Sequence, residues 1–295
     1  MATIKARTYT GAEAEAILGV PSTIECRADG DTVISLNWAD RVASYARVKY
    51  KDDSKTLWAG SSQSEWITML DRGQDSLVAK SYEILDSLAE IEFPEYLTST
   101  RTLQADVMGA RLSVGAHLSG SPIPFRRRKG TLSSEPLDVV IDIGANVDVQ
   151  ASMMLVRGIC ALAIVQRAQV NRAVTLWTRT YNANLGWGQN SPHNAVLVKV
   201  GVAPLDVSAV AVAIGHPSMP RRWLYKVQQH CIDKVPSMRG ASDALPAPYR
   251  SIGLESMPCP YIVPRLDRDD LPHSESPKDV LDWILCHDGK PIVRT

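Results

Sequence analysis

The chain has 295 residues, of which 45% are hydrophobic, so it can bury one large core or one core with a smaller companion domain. Its 32 basic and 32 acidic side chains cancel, which excludes a global electrostatic field that would recruit nucleic acid or an anionic membrane surface. Five cysteines without regular spacing favour a reducing compartment over a disulfide framework.

The first forty residues predict a short helix and a short strand. Met1–Arg7 is too polar for a signal peptide, so together with the cysteine usage it predicts a cytoplasmic protein. Thr10 and Glu13 have the spacing of a capping box, which predicts a helix that ends before Gly19. The β-branched run Val33–Leu36 predicts a strand.

Two further helices are predicted before residue 92. Ser62 and Glu65 form a second capping box, and the helix that they open ends at Gly73. Hydrophobic residues then recur at helical spacing over residues 75–91. This part of the chain is therefore predicted to be mostly helical.

The composition changes near residue 130. Gly- and Ser-rich chain without a regular period gives way there to a strongly hydrophobic sequence. This change predicts a domain boundary, with a mostly helical N-terminal region over residues 1–130 and an α/β domain over residues 131–295.

A strand, a helix and a second strand organise the predicted α/β domain. Residues 137–142 form a β-branched run that ends in an acid, which predicts a buried strand. Residues 149–167 are hydrophobic on nearly every side, which predicts a helix buried on most of its surface. Residues 173–178 predict the second strand, and the connection is expected to be right-handed. This βαβ unit is predicted to form the middle of a mainly parallel sheet.

The remaining elements extend this unit. Residues 195–202 predict a strand that pairs in a hairpin at the sheet edge. Helices are predicted over residues 207–214 and from Ser218 to about Lys234. A strand over residues 261–263 and a helix that starts at Pro277 complete the chain.

Asp142 and Asn146 are the candidate cation ligands. Ligands of open α/β sheets bind beyond the carboxyl ends of strands, where Asp142 lies. The run Asp142-Ile143-Gly144-Ala145-Asn146 resembles a degraded form of the Asp-x-Ser-x-Ser motif of von Willebrand factor A-type domains. Carboxylate and amide oxygens suit Mg²⁺, although Gly144 supplies no side-chain oxygen. The alternative is that Asp142 only caps the turn after the strand, so both a magnesium site and a protein without cofactor stay open.

Two basic clusters are the candidate nucleic-acid site. Their residues are Arg126, Arg127, Arg128, Lys129, Arg221 and Arg222. If both clusters share a face, they can contact phosphates. A solvated linker is the favoured interpretation of the first cluster, because no regular run of aromatic residues accompanies it and the net charge of the chain is zero.

Motifs of common enzyme families are missing from the sequence. It contains no Gly-x-Ser-x-Gly nucleophile elbow, no phosphate-binding Gly-x₄-Gly-Lys-Ser/Thr loop and no Gly-x-Gly-x-x-Gly. The pairs His230-Cys231 and Cys286-His287 lack the short Cys-x₂₋₄-Cys spacing of zinc sites. We therefore predict that the protein is not an enzyme, with a metal-dependent hydrolase or nuclease that uses Asp142 as the remaining catalytic alternative.

Several short segments of the sequence are considered as one set. They are Trp58–Gly60, Ser64–Trp66, Arg72-Gly73, Ser113–Pro122, the core from Val139 to Trp177, and Gly215–Arg222. As a set they resemble an uncharacterised family of proteins encoded by tailed phages and prophages. The resemblance implies a viral origin and a role in the virion or during infection, in the host cell cytoplasm. The core of that family is similar to a von Willebrand factor A-type domain.

The predicted fold is thus an α/β, von Willebrand factor A-like (Rossmann-like) sandwich, preceded by a mostly helical region. The predicted function is that of a non-enzymatic phage protein that binds a protein partner or self-associates as a homo-oligomer, away from membranes. A nucleic-acid-binding factor that uses the basic clusters is the alternative.

Overall fold

The computed structural model describes most of the chain. The described residues are 6–27, 31–47, 59–91, 93, 102–106, 111–112, 125–129, 136–145, 149–169, 172–183, 193–232, 234–235, 253–255, 257, 260–266, 272 and 274–286.

The described strands form two sheets. The larger sheet has seven strands in the spatial order β1 (Arg7–Thr10), β2 (Thr23–Cys26), β3 (Thr32–Asn37), β9 (His193–Val202), β8 (Val174–Ala183), β7 (Leu137–Asp142) and β10 (Pro260–Val263), numbered along the chain. The smaller sheet contains β4 (Thr102–Asp106), β6 (Phe125–Lys129) and β5 (Arg111–Leu112), in that spatial order.

The larger sheet is mixed. Strand β7 is parallel to both β8 and β10, and β3 is parallel to β9. The pairs β1–β2, β2–β3 and β8–β9 are antiparallel. The α/β class is therefore confirmed, but antiparallel pairs are as frequent as parallel ones in a sheet that was predicted to be mainly parallel.

The helices of the described chain are α1 (Ala12–Leu18), α2 (Arg41–Arg47), α3 (Gln63–Arg72), α4 (Asp75–Ser87), α5 (Ala151–Ala168), α6 (Val207–Gly215), α7 (Tyr225–Ile232) and α8 (Pro277–Cys286). A π-helical segment, Met219–Leu224, leads directly into α7.

The central βαβ unit is confirmed. All six residues of β7 are buried, and α5 connects β7 to the parallel strand β8. Helix α5 packs against α4, α6 and α8, and most of its 18 residues are buried. Strand β7 lies inside the sheet, but it neighbours the edge strand β10 and is not the middle strand.

Helix α5 also has the length and hydropathy of a membrane span. However, 78% of its apolar window is buried inside the protein, as in the core helix of a globular domain. Its hydrophobic side chains share the main core with one face of the sheet, including Val139, Ile141 and Val196. A smaller cluster around Val140 and Leu197 covers part of the opposite face.

The N-terminal region contributes strands as well as helices. The predicted strand at residues 33–36 lies within β3, and the capping box of Ser62 and Glu65 is confirmed at the start of α3. The predicted cap at Thr10 is wrong, because Thr10 ends β1 and Gly11 precedes α1 without a side-chain cap. Since β3 pairs with β9, one sheet contains chain from both sides of residue 130. The domain boundary at that position stays a prediction.

Candidate functional site

A buried ion pair lies at the carboxyl end of β7. Asp142 is the last residue of β7, and Arg179 is its partner in register on β8. Arg179 donates from Nε to Oδ1 and from Nη2 to Oδ2, each over 2.6 Å. The side chains are 2% and 0% exposed, so this bidentate pair is almost wholly removed from water.

Arg157 comes from the second turn of α5 and reaches the same place. Its Nη1 donates to the carbonyl oxygen of Asp142 over 2.7 Å and to that of Pro264 over 3.3 Å. The side chain is fully buried, and Nε and Nη2 have no hydrogen-bond partner among the described residues. Burial lowers the pKa of Arg157 to about 10, although the nearby Asp142 opposes this shift.

Tyr181 and Arg265 also belong to the site. The guanidinium of Arg179 lies 4.9 Å from the centre of the Tyr181 ring, and that of Arg265 lies 5.9 Å from it. Burial and the negative charge of Asp142 raise the pKa of the Tyr181 phenol, while a hydrogen bond from Arg265 opposes the rise. The phenol therefore stays protonated at neutral pH.

These five residues are called the arginine cluster below. Its positive members are Arg157, Arg179 and Arg265, and Asp142 is its carboxylate. Arg265 is partly exposed, as are Gly144, Ala145 and Pro264, which are close in sequence to members of the cluster. Because β7, β8 and β10 are parallel, their carboxyl ends meet at this edge, which is where open α/β sheets bind ligands.

The candidate cation ligands fit Mg²⁺ poorly. Asp142 lies where the sequence predicts, but both of its oxygens accept hydrogen bonds from Arg179. A cation there would have to displace one guanidinium and lie beside another. Asn146 lies outside the described residues, and within them no group of three or more His, Cys, Asp or Glu side chains is placed to hold a metal ion.

The structure describes the burial of only one of the two basic clusters. Arg126–Lys129 form β6 in the smaller sheet, and their side chains lie outside what the structure describes. Arg221 and Arg222 are buried, and they donate to the carbonyl oxygens of Val149 and Ser61. Guanidinium groups held inside the protein argue against the predicted contacts of this pair with nucleic-acid phosphates.

Sequence reasoning found Asp142 and missed its partners. Arg157 was visible as a charge within a helix that is otherwise hydrophobic. Charged residues are almost never fully buried unless they are paired, so this position alone indicated a site. Arg179 and Arg265 gave no such indication, because a polar residue in a strand is equally expected on an exposed face.

One family model matches the chain. The model is that of a domain of unknown function, DUF7192, and it matches residues 31–272, which include the whole arginine cluster. No curated protein and no solved structure matches the chain. The comparisons therefore assign no substrate, partner or activity to the cluster.

Proposed function

Because the chain belongs to the DUF7192 family, whose function is unknown, we propose a function from its own residues. The protein is a non-enzymatic binding protein that receives an anionic group at the arginine cluster. The ligand that fits this site best is a carboxylate on the surface of a protein partner.

The observation that carries the proposal is the incomplete hydrogen bonding of Arg157. A buried donor without a partner costs about 1–3 kcal/mol, and more when the group is charged. Arg157 has two such donors, at Nε and Nη2. A carboxylate accepts two parallel N–H bonds from a guanidinium, which is the geometry that these two nitrogens offer.

The chemistry of the cluster favours binding over catalysis. Arginine stays charged at physiological pH and does not exchange protons, so it orients anions and does not act as a general acid or base. The one carboxylate is already bound by Arg179 through both oxygens. The phenol of Tyr181 is held protonated by burial. No member of the cluster is therefore poised as a nucleophile or a base.

The burial of the arginine cluster favours a ligand with a small protruding group. Arg157 and Arg179 are fully buried, so a bulky backbone such as that of a nucleic-acid duplex cannot reach them. In this proposal, one acidic side chain enters when the partly exposed chain at Gly144, Ala145 and Pro264 moves aside. The element order around β7, α5 and β8 supports a von Willebrand factor A-like domain, and such domains commonly bind proteins at the carboxyl edge of the sheet. The partner in this proposal is a protein or a second copy of the chain, and the phage origin stays a prediction.

The test compares small anions as probes of the site. Glutarate, phosphate and chloride are added at equal ionic strength, and the unfolding temperature is measured for wild type, Arg157→Met and Arg72→Met. The Arg72 side chain is 81% exposed, so Arg72→Met is the matched control. Arg157 bonds only to backbone carbonyl oxygens and leaves two buried donors without a partner among the described residues, so Arg157→Met removes a costly buried group and is expected to fold.

We expect glutarate to raise the unfolding temperature of wild type and Arg72→Met with concentration, and to leave Arg157→Met unchanged. Equal shifts in all three proteins would contradict the site. A larger effect of phosphate than of glutarate would replace the protein partner by a small phosphorylated ligand. Sedimentation of wild type and Arg157→Met then shows whether the partner is a second copy, because only wild type would associate.

A further inference from the structure

A second site lies outside the arginine cluster and shares no residue with it. It is a cleft of about 500 Å³ between the start of α3 and the turn that follows α6. Its polar lining residues are Ser61, Ser64, Glu65, Thr68, Gln74 and His216. The volume lies in the range of small-molecule pockets. Three of the sequence segments that carry the family resemblance contribute residues to this cleft. They are Ser64–Trp66, Arg72-Gly73 and Gly215–Arg222.

The walls of the cleft are fixed by close packing. Gly60 has a φ of +78°, and a Cβ at this position would lie 2.5 Å from Cγ of Pro217. Ser218 donates from Oγ to the carbonyl oxygen of Ala59 over 2.5 Å, and its Oγ lies 2.7 Å from that of Ser61. These contacts hold the chain before α3 against the turn after α6.

His216 presents one hydrogen-bond donor to the cleft. The side chain is 93% buried, since its exposed fraction is 7%, and its ring stacks on Trp66 with 5.6 Å between ring centroids. Nδ1 accepts the backbone N–H of Ser218 over 3.1 Å. Burial, assisted by the charge of Arg222, lowers the pKa of His216 to about 4, so the ring is neutral at pH 7 with its proton on Nε2. Nε2 has no hydrogen-bond partner in the part of the chain that the structure describes.

The cleft lining also has two unused hydrogen-bond acceptor atoms, one on Gln74 and one on Glu65. Gln74 Oε1 is buried and has no hydrogen-bond partner among the described residues. Glu65 accepts the backbone N–H of Ser62 at Oε2 over 2.6 Å, which leaves Oε1 for a ligand. The hydrogen bonds from Ser62 lower the pKa of Glu65, so the carboxylate is charged at neutral pH. The cleft therefore offers two acceptors, one donor and the hydroxyls of Ser64 and Thr68.

We propose that this cleft binds an uncharged polyhydroxylated ligand, namely one monosaccharide unit. Sugar hydroxyls donate to Glu65 and accept from Nε2 of His216, and a hydroxyl that reaches Gln74 supplies the partner that its buried Oε1 lacks. The carboxylate of Glu65 disfavours an anion, and the buried guanidinium of Arg222 disfavours a cation. An apolar ligand would leave the three groups unsatisfied.

The experiment uses the full chain and free monosaccharides. Glucose, galactose, mannose and N-acetylglucosamine are titrated at millimolar concentrations, and the imidazole resonances of His216 are followed by NMR. The variants are Glu65→Gln and Gln74→Met, with Glu83→Gln on the exposed side of α4 as the matched control. Glutamine preserves a capping box at this position, and Gln74 makes no side-chain cap, so both variants are expected to fold.

At least one sugar is expected to shift the His216 resonances with saturation. Gln74→Met and Glu65→Gln should each weaken its binding roughly tenfold, while Glu83→Gln binds as wild type. Arg157→Met should also bind as wild type, which separates this site from the arginine cluster. If no sugar shifts His216, if both variants bind as wild type, or if N-acetyl-lysine amide binds in place of sugars, the proposal is wrong.

Discussion

Arg179 and Asp142 show how a buried charge is held by a single partner. Both side chains lie out of water, and Arg179 provides the only side-chain hydrogen bonds that the carboxylate accepts among the described residues. Arg157 donates to the backbone carbonyl oxygen of Asp142 and not to its carboxylate. We expect Arg179→Met to lower the free energy of unfolding by about 3–5 kcal/mol, because it removes the hydrogen-bonded ion-pair partner of a buried carboxylate. Urea unfolding followed by tryptophan fluorescence measures the loss.

The control for this prediction is a double variant that also removes the negative charge of Asp142. In Arg179→Met with Asp142→Asn, the buried carboxylate is gone, so most of the lost stability should return. If the single variant stays within about 1 kcal/mol of wild type, the pair is not held in the buried geometry described above.

His216 makes the stability of the protein depend on pH. Its pKa in the folded protein is about 4, below the ordinary value of 6.5 for a histidine, so the unfolded chain binds more protons between these two values. The stabilising contribution is therefore complete above pH 6.5 and is lost as the pH falls towards 4. The expected loss from this residue between pH 7 and pH 5 is about 2 kcal/mol.

The measurement compares unfolding free energies at pH 7 and pH 5 in wild type and His216→Gln. The variant should lose about 2 kcal/mol less over this interval, whatever its absolute stability. Equal pH dependence in the two proteins would show that His216 is accessible to protons in the fold.

The residues of the candidate site could be predicted only in part from the sequence. Asp142 follows from its place at the end of a hydrophobic run, and Arg157 stands out within a hydrophobic helix. Arg179 could not be paired with Asp142 in advance, because their register depends on how β7 and β8 align. Arg221 and Arg222 look exposed by their charge, but the π-helical segment places both inside the protein.

Helices α5 and α6 pack closely against each other at Gly158, which leaves no room for a side chain. A Cβ on Gly158 would lie 2.2 Å from the carbonyl oxygen of Ile214, and backbone atoms cannot move aside cheaply. Alanine is favoured over glycine in a helix by roughly 0.5–1 kcal/mol, but the overlap outweighs this gain. We expect Gly158→Ala to lower the free energy of unfolding by about 1–3 kcal/mol.

The matched control lies on the same helix. Gln166 is only partly buried, so Gln166→Ala should be near neutral in the same urea unfolding assay. A stabilised Gly158→Ala would mean that α5 and α6 separate without cost, in contrast to the close contact between their backbones.

Elements with a strong hydrophobic pattern were predicted correctly, whereas elements with a weak pattern were not. Helix α5, the strand β7 and the capping box of α3 each follow from local sequence. Strands β1 and β2 have four residues each, which is too short for a period to show. At Thr10, the capping pattern was overridden because that residue pairs with Thr23 of β2.

The sheet of the whole molecule joins distant parts of the chain. Strand β3 pairs in parallel with β9, and Thr32 lies opposite Asn194 in their register. No local pattern contains such a pairing, so the mixed order of the sheet could not be predicted from hydrophobic runs alone. A domain boundary near residue 130 would divide the strands of this one sheet between two domains.

The final prediction concerns the fragment of residues 131–295. Without β3, strand β9 would expose its backbone edge, and the buried side chains of Val196 and Val198 would lose Ile34 and Leu36 from the same hydrophobic cluster. We expect the isolated fragment to bind a hydrophobic dye and to unfold without a cooperative transition, whereas the full chain unfolds cooperatively in circular dichroism. Adding the separate fragment of residues 1–130 should restore part of the transition, because it supplies the missing strand. A sharp transition of residues 131–295 alone would instead establish two independent domains at the boundary that the composition predicts.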